Sequence, residues 1–220
     1  MSGNEFLKYS GNELVYVQKL FDDYRSVLDG SKYDFVKELE REFSKKIGGK
    51  YAIAVNSGTS ALHAALVACD VKGGEVLMPA LTPAMVAFAV IHAGATPVFC
   101  DVDEETNHID PKEVDAKINE NTKAVLAVSL HGWPIDWSNC QIEPSIKTID
   151  DCAQALGAKG IGQADITCFS FEDKKHITTG SEGGMILTNN EELAMKARKF
   201  AGLGYKHMTA EAGRTSIGKG

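Results

Sequence analysis

Short apolar runs alternate with amphipathic runs along most of the chain. The apolar runs are rich in Val and Ile and show little polar alternation, which is typical of strands covered on both faces. We predict strands at residues 51–56, 75–79, 96–102, 123–130, 147–149, 166–171 and 185–188. Apolar positions at helical spacing predict helices at residues 60–69, 83–93, 111–119 and 190–201. Alternating strands and helices favour a three-layer α/β/α domain with a mainly parallel sheet.

The two ends of the chain differ from this pattern. Residues 14–46 predict two amphipathic helices joined by an Asp-Gly-Ser turn at 29–31. Residues 202–220 are glycine-rich and polar, and their pattern predicts no further helix or strand. They fit either a disordered tail or a chain cut short inside a longer protein. We therefore expect a helical segment at 1–46, one large domain at 47–204 and a mobile loop at 205–220.

Composition narrows the classes of function. The chain has 220 residues, 44% of them hydrophobic and 24% charged, as in ordinary globular proteins. Its net charge of −7 and the lack of a basic block disfavour binding to nucleic acid or to an anionic membrane. The five cysteines are scattered without a Cys-x-x-Cys pair, and residues 1–10 do not resemble a signal peptide, so we expect a cytoplasmic protein. The six histidines show no metal-binding spacing, and we expect no metal.

The first candidate segment is Asn-Ser-Gly-Thr-Ser at 56–60, between a predicted strand and a predicted helix. Gly58 lets a ligand approach the backbone, and the N–H groups of the following helix turn favour an anion such as a phosphate. The alternative is that Ser57 or Thr59 only caps the helix. The segment is neither a dinucleotide-binding nor a Walker motif.

The second candidate segment is Asp-Asp-Cys-Ala-Gln at 150–154, at the carboxyl end of a short strand, where ligands gather in open parallel sheets. One acid could cap the next segment while the other neutralises a cation in the cleft. Gln154 is close enough along the chain to reach the same ligand.

The third candidate segment starts at the end of a buried strand. Ser170 is followed by Lys174 and Lys175 and then by a glycine-rich turn at 180–184. A lysine amine forms a Schiff base only if it is partly desolvated, and a position just beyond a buried strand allows this. The alternative is a solvated charged loop.

Taken together, the three segments indicate one ligand. A phosphate cradle, an acid at a strand end and a lysine at a strand end are the contacts that pyridoxal phosphate requires. The phosphate anchors the cofactor, the acid keeps the ring nitrogen protonated, and the lysine holds the aldehyde and moves protons.

The chain resembles the DegT/DnrJ/EryC1/StrS sugar aminotransferases, which have the fold type I of aspartate aminotransferase. The resemblance extends from about residue 35 to about residue 204. It is carried by NSGTSALHAAL from residue 56, AGATPVFCDVD from 93, IDDCAQALGA from 149 and FSFEDKKHITTGSEGGMI from 169. It implies a pyridoxal 5'-phosphate cofactor and the large domain of that fold.

The resemblance also assigns roles to individual residues. Lys175 would be the catalytic Schiff-base lysine, Asp151 the partner of the pyridine nitrogen, and Gln154 a neighbour of the cofactor ring. The phosphate would be bound by the glycine and hydroxyl residues Gly58, Thr59, Ser60 and Ser170. Where the family has an aromatic residue that stacks on the ring, this chain has Pro83, from which we expect only an apolar contact. The glycine-rich turn at 180–184 is one residue longer than the family's.

The implied reaction transfers an amino group from glutamate to a nucleotide-linked keto-deoxysugar, with Lys175 as the base, in a homodimer with a shared active site. One alternative is a sugar dehydratase of the same fold. Those relatives carry histidine at the lysine position, so Lys175 argues against it, although His176 is adjacent. The other alternative is a non-catalytic cofactor-binding or regulatory homologue. The chain stops before the family's Asn-Tyr-Arg motif and small domain, so we expect a fragment with an incomplete cleft that is inactive alone.

Overall fold

A computed structural model describes residues 11–22 and 35–202 of the chain. The strands are Tyr51–Val55 (β1), Glu75–Pro79 (β2), Thr96–Cys100 (β3), Thr122–Val128 (β4), Lys147–Asp151 (β5), Ile166–Ser170 (β6) and Gly184–Thr188 (β7). The α-helices in these two segments are Glu13–Asp22 (α1), Phe35–Ile47 (α2), Gly58–Ala68 (α3), Ala84–His92 (α4), Pro111–Lys117 (α5) and Glu191–Ala201 (α6). The predicted order of elements is confirmed, and most ends differ by one to three residues.

One seven-stranded sheet has the order β1-β7-β6-β5-β4-β2-β3. Neighbouring strands are parallel from β6 to β3, whereas β7 is antiparallel to both β6 and β1. A parallel neighbour needs a long crossover, but the connection from β6 to β7 contains no helix and returns the chain directly. Every strand except β7 therefore ends at the same edge of the sheet.

Helices cover both faces of the sheet, which confirms the three-layer prediction. On one face, alanines of α3 pack with α4, α6 and strand residues such as Ile149 and Ile166. On the other face, Phe43 of α2 packs edge-on against Phe169 of β6, with ring centroids 5.0 Å apart. Val114 of α5 belongs to a further cluster on that second face. Burial on both faces explains why the strand sequences are almost continuously apolar.

The outer edge of β1 is covered by an ion pair between helices of the two layers. Arg198 of α6 donates to Glu40 of α2, with a shortest distance of 2.8 Å, and also donates to the carbonyl oxygen of Ala52. Glu40 in turn accepts a hydrogen bond from the backbone N–H of Ala54 at 2.8 Å. The pair thus satisfies backbone groups that an edge strand would otherwise leave open to another strand.

Two predictions fall outside the described residues: the Asp-Gly-Ser turn at 29–31 and the mobile loop at 205–220. The division of the chain into three segments accordingly stays a prediction. In the described residues, the helices are too short or too polar to cross a membrane.

Candidate active site

The predicted site residues converge on the sheet edge where the parallel strands end. Asp151 is the last residue of β5, Ser170 is the last residue of β6, and Gly58 begins the helix that follows β1. The strand containing the two adjacent acids extends through Asp151, two residues beyond the predicted end, so that both acids belong to the sheet.

Asp151 and Asp150 point to opposite faces of the sheet, because successive side chains alternate along a strand. Asp151 has the same parity as Ile149, which packs in the core under α3. Its side chain is buried, and one of its oxygens accepts a hydrogen bond from the backbone N–H of Ala153 at 3.0 Å. Burial raises the pKa of Asp151 from 3.8 to about 6, although the charge of Lys175 acts in the opposite direction.

Asp150 belongs to a separate network under the other face. Its carboxylate accepts hydrogen bonds from the Ser129 hydroxyl at 2.9 Å and from the Cys152 thiol at 3.2 Å. Burial also raises the pKa of Asp150 to about 6. The alternation of the strand therefore decides between the two adjacent acids: Asp151 alone lies on the face that carries α3.

The first turn of α3 combines a cap with a close approach to β6. Ser57 is the N-cap, and its hydroxyl oxygen accepts a hydrogen bond from the N–H of Ser60 at 3.0 Å. Ser57 therefore caps α3. The backbone N–H groups of Gly58 and exposed Thr59 remain in the first turn, where a helix offers no internal acceptor.

Gly58 is required by the distance between α3 and β6. A methyl group at this position would lie 2.7 Å from the β-carbon of Ser170. The Ser170 hydroxyl therefore lies beside the helix N-terminus, as the phosphate-cradle prediction requires. Gly184 allows a similar approach, since a methyl group there would lie 2.4 Å from the carbonyl oxygen of Ser57.

Lys175 lies in the loop after β6 and is half-buried, whereas Lys174 is exposed. The N–H of Lys175 donates to the carbonyl oxygen of Glu172 at 2.9 Å, which closes a turn. An open cleft of about 430 Å³ adjoins this turn; its lining residues are His131, Ala153, Gln154, Lys174, Lys175 and His176. The fold therefore brings Lys175 and Gln154 into one cleft.

Gln154 is held by a residue to which the sequence interpretation gave no role. Its side-chain oxygen accepts a hydrogen bond from the backbone N–H of His131 at 2.8 Å. His131 has a left-handed backbone conformation, with φ 55° and ψ 22°. Its position after the predicted fourth strand, at the edge where Asp151 and Lys175 also follow strands, was the available signal.

A family model described as the DegT/DnrJ/EryC1/StrS aminotransferase family matches residues 17–218. The chain belongs to this family. It is 38% identical over 206 residues to GDP-perosamine synthase of Escherichia coli O157:H7, an alignment that covers 89% of this chain and 55% of the relative. The chain thus spans about half the length of the curated relatives it matches.

Two solved structures show the fold of this DegT/DnrJ/EryC1/StrS family member. An aminotransferase from Psychrobacter cryohalolentis aligns with a TM-score of 0.81 and 32% identity, covering 96% of this chain and 55% of that one. NtdA from Bacillus subtilis, solved with bound cofactor PMP, aligns with a TM-score of 0.77 and 31% identity, covering 89% of this chain and 46% of that one.

The remaining predicted residue of this family member, Pro83, lies farther along the same edge. It precedes α4 and is exposed. It follows β2, and β4 separates that strand from β5 and Asp151. The neighbouring Thr82 hydroxyl is buried without a hydrogen-bond partner among the described residues, as is that of Thr178 in the loop after Lys175. These hydroxyls are polar groups that a bound molecule could satisfy.

The two indole side chains near the cleft occupy different environments. Trp133 is 58% exposed. Trp137 packs against the apolar cluster around Leu77 and Val125, which lies on the face away from Asp151.

The described residues fit a pyridoxal phosphate. A buried acid needs a cationic partner, and Asp151 lies on the face of the sheet that carries the α3 cradle. The cradle brings Ser170 against Gly58 and offers N–H groups and hydroxyls for an anion. The basic side chains of Lys174 and Lys175 add positive charge at the mouth of the cleft.

Proposed function

We propose that the chain is the cofactor-binding half of a pyridoxal-phosphate-dependent aminotransferase that aminates a nucleotide-linked keto-deoxysugar. The observation that carries the proposal is the placement of Asp151, Ser170 and Gly58 on one face at one sheet edge, with Lys175 in the cleft just beyond β6. The names of the related proteins support the nucleotide-sugar substrate. When bound, the cofactor supplies an electron-withdrawing ring to the reacting carbon.

Asp151 would hold the ring nitrogen in its protonated form. Its carboxylate is buried and accepts one backbone hydrogen bond, which leaves lone pairs for a cationic N–H donor. A charged partner in this dry position interacts more strongly than one in water. Gln154 would lie beside the ring, where the N–H of His131 fixes its side-chain oxygen.

The phosphate would lie at the N-terminus of α3. The N–H groups of Gly58 and Thr59 and the hydroxyls of Thr59, Ser60 and Ser170 are the donors that we assign to it. The Ser57 cap supports the cradle because it fixes the first helix turn. Pro83 would make only an apolar contact, since its side chain has no hydrogen-bonding group.

Lys175 would be the catalytic residue. Its amine would hold the cofactor aldehyde, and once released it would take a proton from the reacting carbon and return it. Its half-buried position in the cleft supports this role more than the exposed position of Lys174 does. Glutamate is the amino donor that we assign by family membership.

We also propose that the complete enzyme is a homodimer with a shared active site. The face formed by α4 and β3 supports this, because it exposes the large apolar side chains Leu81, Met85, Phe88, Ile91 and Phe99. Residues 79–100 contain no Asp, Glu, Lys or Arg. The face begins next to Pro83 at the edge that carries the site, so a second copy docked there would reach the cleft. An uncharged, aromatic-rich surface is typical of the core of a subunit interface.

The assignment of Lys175 is tested by titrating the protein with pyridoxal phosphate and reducing it with borohydride. We expect a Schiff-base absorption band that borohydride abolishes, and a reduced adduct on Lys175 in the peptide mass spectrum. Lys175→Ala should lose both signals. Lys174→Ala is the matched control, because it removes a neighbouring lysine that lines the same cleft, and it should keep them.

The same experiment separates the alternatives. An adduct on Lys174, or a band that survives in Lys175→Ala, would show that the lysine assignment is wrong. Binding of the cofactor without a reducible band would favour the dehydratase. A reducible band together with no transfer of an amino group from glutamate by the complete protein would favour the non-catalytic homologue.

A further inference from the structure

The loop that leaves β4 is attached to the network around Asp150. Ser129 follows β4 directly and is fully buried. Its hydroxyl donates to Asp150 at 2.9 Å and accepts a hydrogen bond from the N–H of Ile135 at 3.2 Å. One side chain therefore joins the start of the loop, its end and the neighbouring strand.

The same loop carries the groups that face the cleft. His131 lines the cleft, and its N–H binds Gln154. His131 has a left-handed backbone conformation, and the next residue, Gly132, also has a positive φ of 81°, so the backbone turns sharply here. His108, which is buried, lies 2.9 Å from the carbonyl oxygen of Trp133 through its Nε2 atom. A strained conformation persists only where the surroundings determine it, and these contacts supply that restraint.

We propose that Ser129 and Asp150 are a positioning pair for the cleft: their hydrogen bond fixes the loop 129–135, so that His131 stands at the cleft mouth and holds Gln154. Neither side chain reaches the cleft, because Asp150 lies on the other face of the sheet from Asp151 and Ser129 is fully buried beside it. The pair acts through the backbone of the loop. The part that concerns cofactor affinity rests on the proposed function, whereas the part that concerns the loop does not.

The test compares amide hydrogen exchange by NMR in the cofactor-free protein and in Ser129→Ala. The reporters are the amides of His131 and Trp133, which bond to Gln154 and to the carbonyl oxygen of Leu130 and not to Ser129 itself. We expect both to exchange at least tenfold faster in Ser129→Ala, with amides in the centre of β4 changed less than twofold. We also expect the dissociation constant for pyridoxal phosphate to rise at least fivefold.

Further variants separate an effect on the position of the loop from an effect on the stability of the protein. Leu193→Ala opens the core at the start of α6, near the opposite edge of the sheet. The exchange rates of the two reporter amides should then change no more than those of other amides, and the affinity for pyridoxal phosphate should stay the same. Asp150→Asn keeps an acceptor for the Ser129 hydroxyl and should retain exchange rates within threefold of the original protein. If Ser129→Ala does not fold, Ser129→Cys replaces the hydroxyl with a weaker hydrogen-bonding group of similar size, and at least threefold faster exchange is expected.

Unchanged exchange at His131 and Trp133 in the Ser129 variant, or an equal change in Leu193→Ala, would overturn the inference. Faster exchange with undiminished cofactor affinity would overturn it as well, because the loop would then not position the site. If the original protein binds no pyridoxal phosphate, the proposed function fails, and the exchange rates alone decide whether the pair positions the loop.

Discussion

The ionised carboxylate of Asp151 should lower the free energy of unfolding of the cofactor-free protein, compared with an uncharged side chain at this position. Its carboxyl is buried, and burial raises its pKa from an ordinary 3.8 to about 6. At about 1.36 kcal/mol for each pKa unit, this difference corresponds to about 3 kcal/mol. Ionised Asp151 therefore costs the folded protein about 3 kcal/mol at neutral pH, and a cationic ring nitrogen bound beside it would offset that cost.

Asp151→Asn isolates this effect. The amide keeps an oxygen that can accept the hydrogen bond from Ala153 N–H and removes only the charge. We expect the free energy of unfolding of the cofactor-free protein at pH 8 to increase by about 1–3 kcal/mol. The affinity for pyridoxal phosphate should fall, because the cation at the ring nitrogen loses its partner. Such opposite effects on stability and function are common at binding sites.

The pH dependence of this cost follows from the direction in which the pKa of Asp151 is shifted. Because the folded pKa is higher than the unfolded one, the folded state holds the extra proton between pH 3.8 and about 6. The cost of Asp151 is therefore complete above pH 6, decreases as the pH falls through this interval and disappears below it. The advantage of Asp151→Asn should show the same dependence on pH.

Urea unfolding followed by circular dichroism at several pH values between 4 and 8 measures the difference. Asp173→Asn is the control, since Asp173 is exposed in the loop before Lys175 and its replacement should change stability by less than about 0.5 kcal/mol. If Asp151→Asn were less stable than the original protein at pH 8, or if its advantage did not depend on pH, burial would not be the dominant influence on this carboxyl.

Three further substitutions test the fold and the proposed assembly. Arg198→Met leaves the carboxylate of Glu40 in a mostly buried position without its partner, so we expect a loss of about 3 kcal/mol in chemical denaturation, of which adding Glu40→Gln should restore part. Gly184→Ala would place a methyl group 2.4 Å from the carbonyl oxygen of Ser57, so we expect at least tenfold weaker binding in a pyridoxal phosphate titration; unchanged binding would contradict the cradle. Phe88→Lys alters a side chain that is 56% exposed, and we expect it to convert the homodimer to a monomer in sedimentation equilibrium. The circular dichroism spectrum should stay the same. A monomeric original protein would refute the proposed interface.

The order of the elements, the three-layer class and the family could all be predicted from the sequence. These features are local or repeated along the chain: doubly covered strands are almost continuously apolar, helices show their own spacing, and the family motifs are short. Helix and strand ends were less well determined. The strand with the adjacent acids was predicted to end at residue 149, because apolar content marks a strand, but pairing with β4 and β6 extends it to Asp151.

How distant segments meet could not be predicted from the sequence, because it depends on packing between elements. The pairing of β7 with β1 joins residues more than 100 positions apart, which leaves no periodic signal, and it places β7 between β1 and β6. Alternation along β5 separates Asp150 from Asp151 in any strand, but which face carries the cleft depends on where α3 packs. The backbone N–H of His131 donates a hydrogen bond to the side chain of Gln154, which is distant in sequence, so this restraint on the loop exists only once β4 and β5 are side by side.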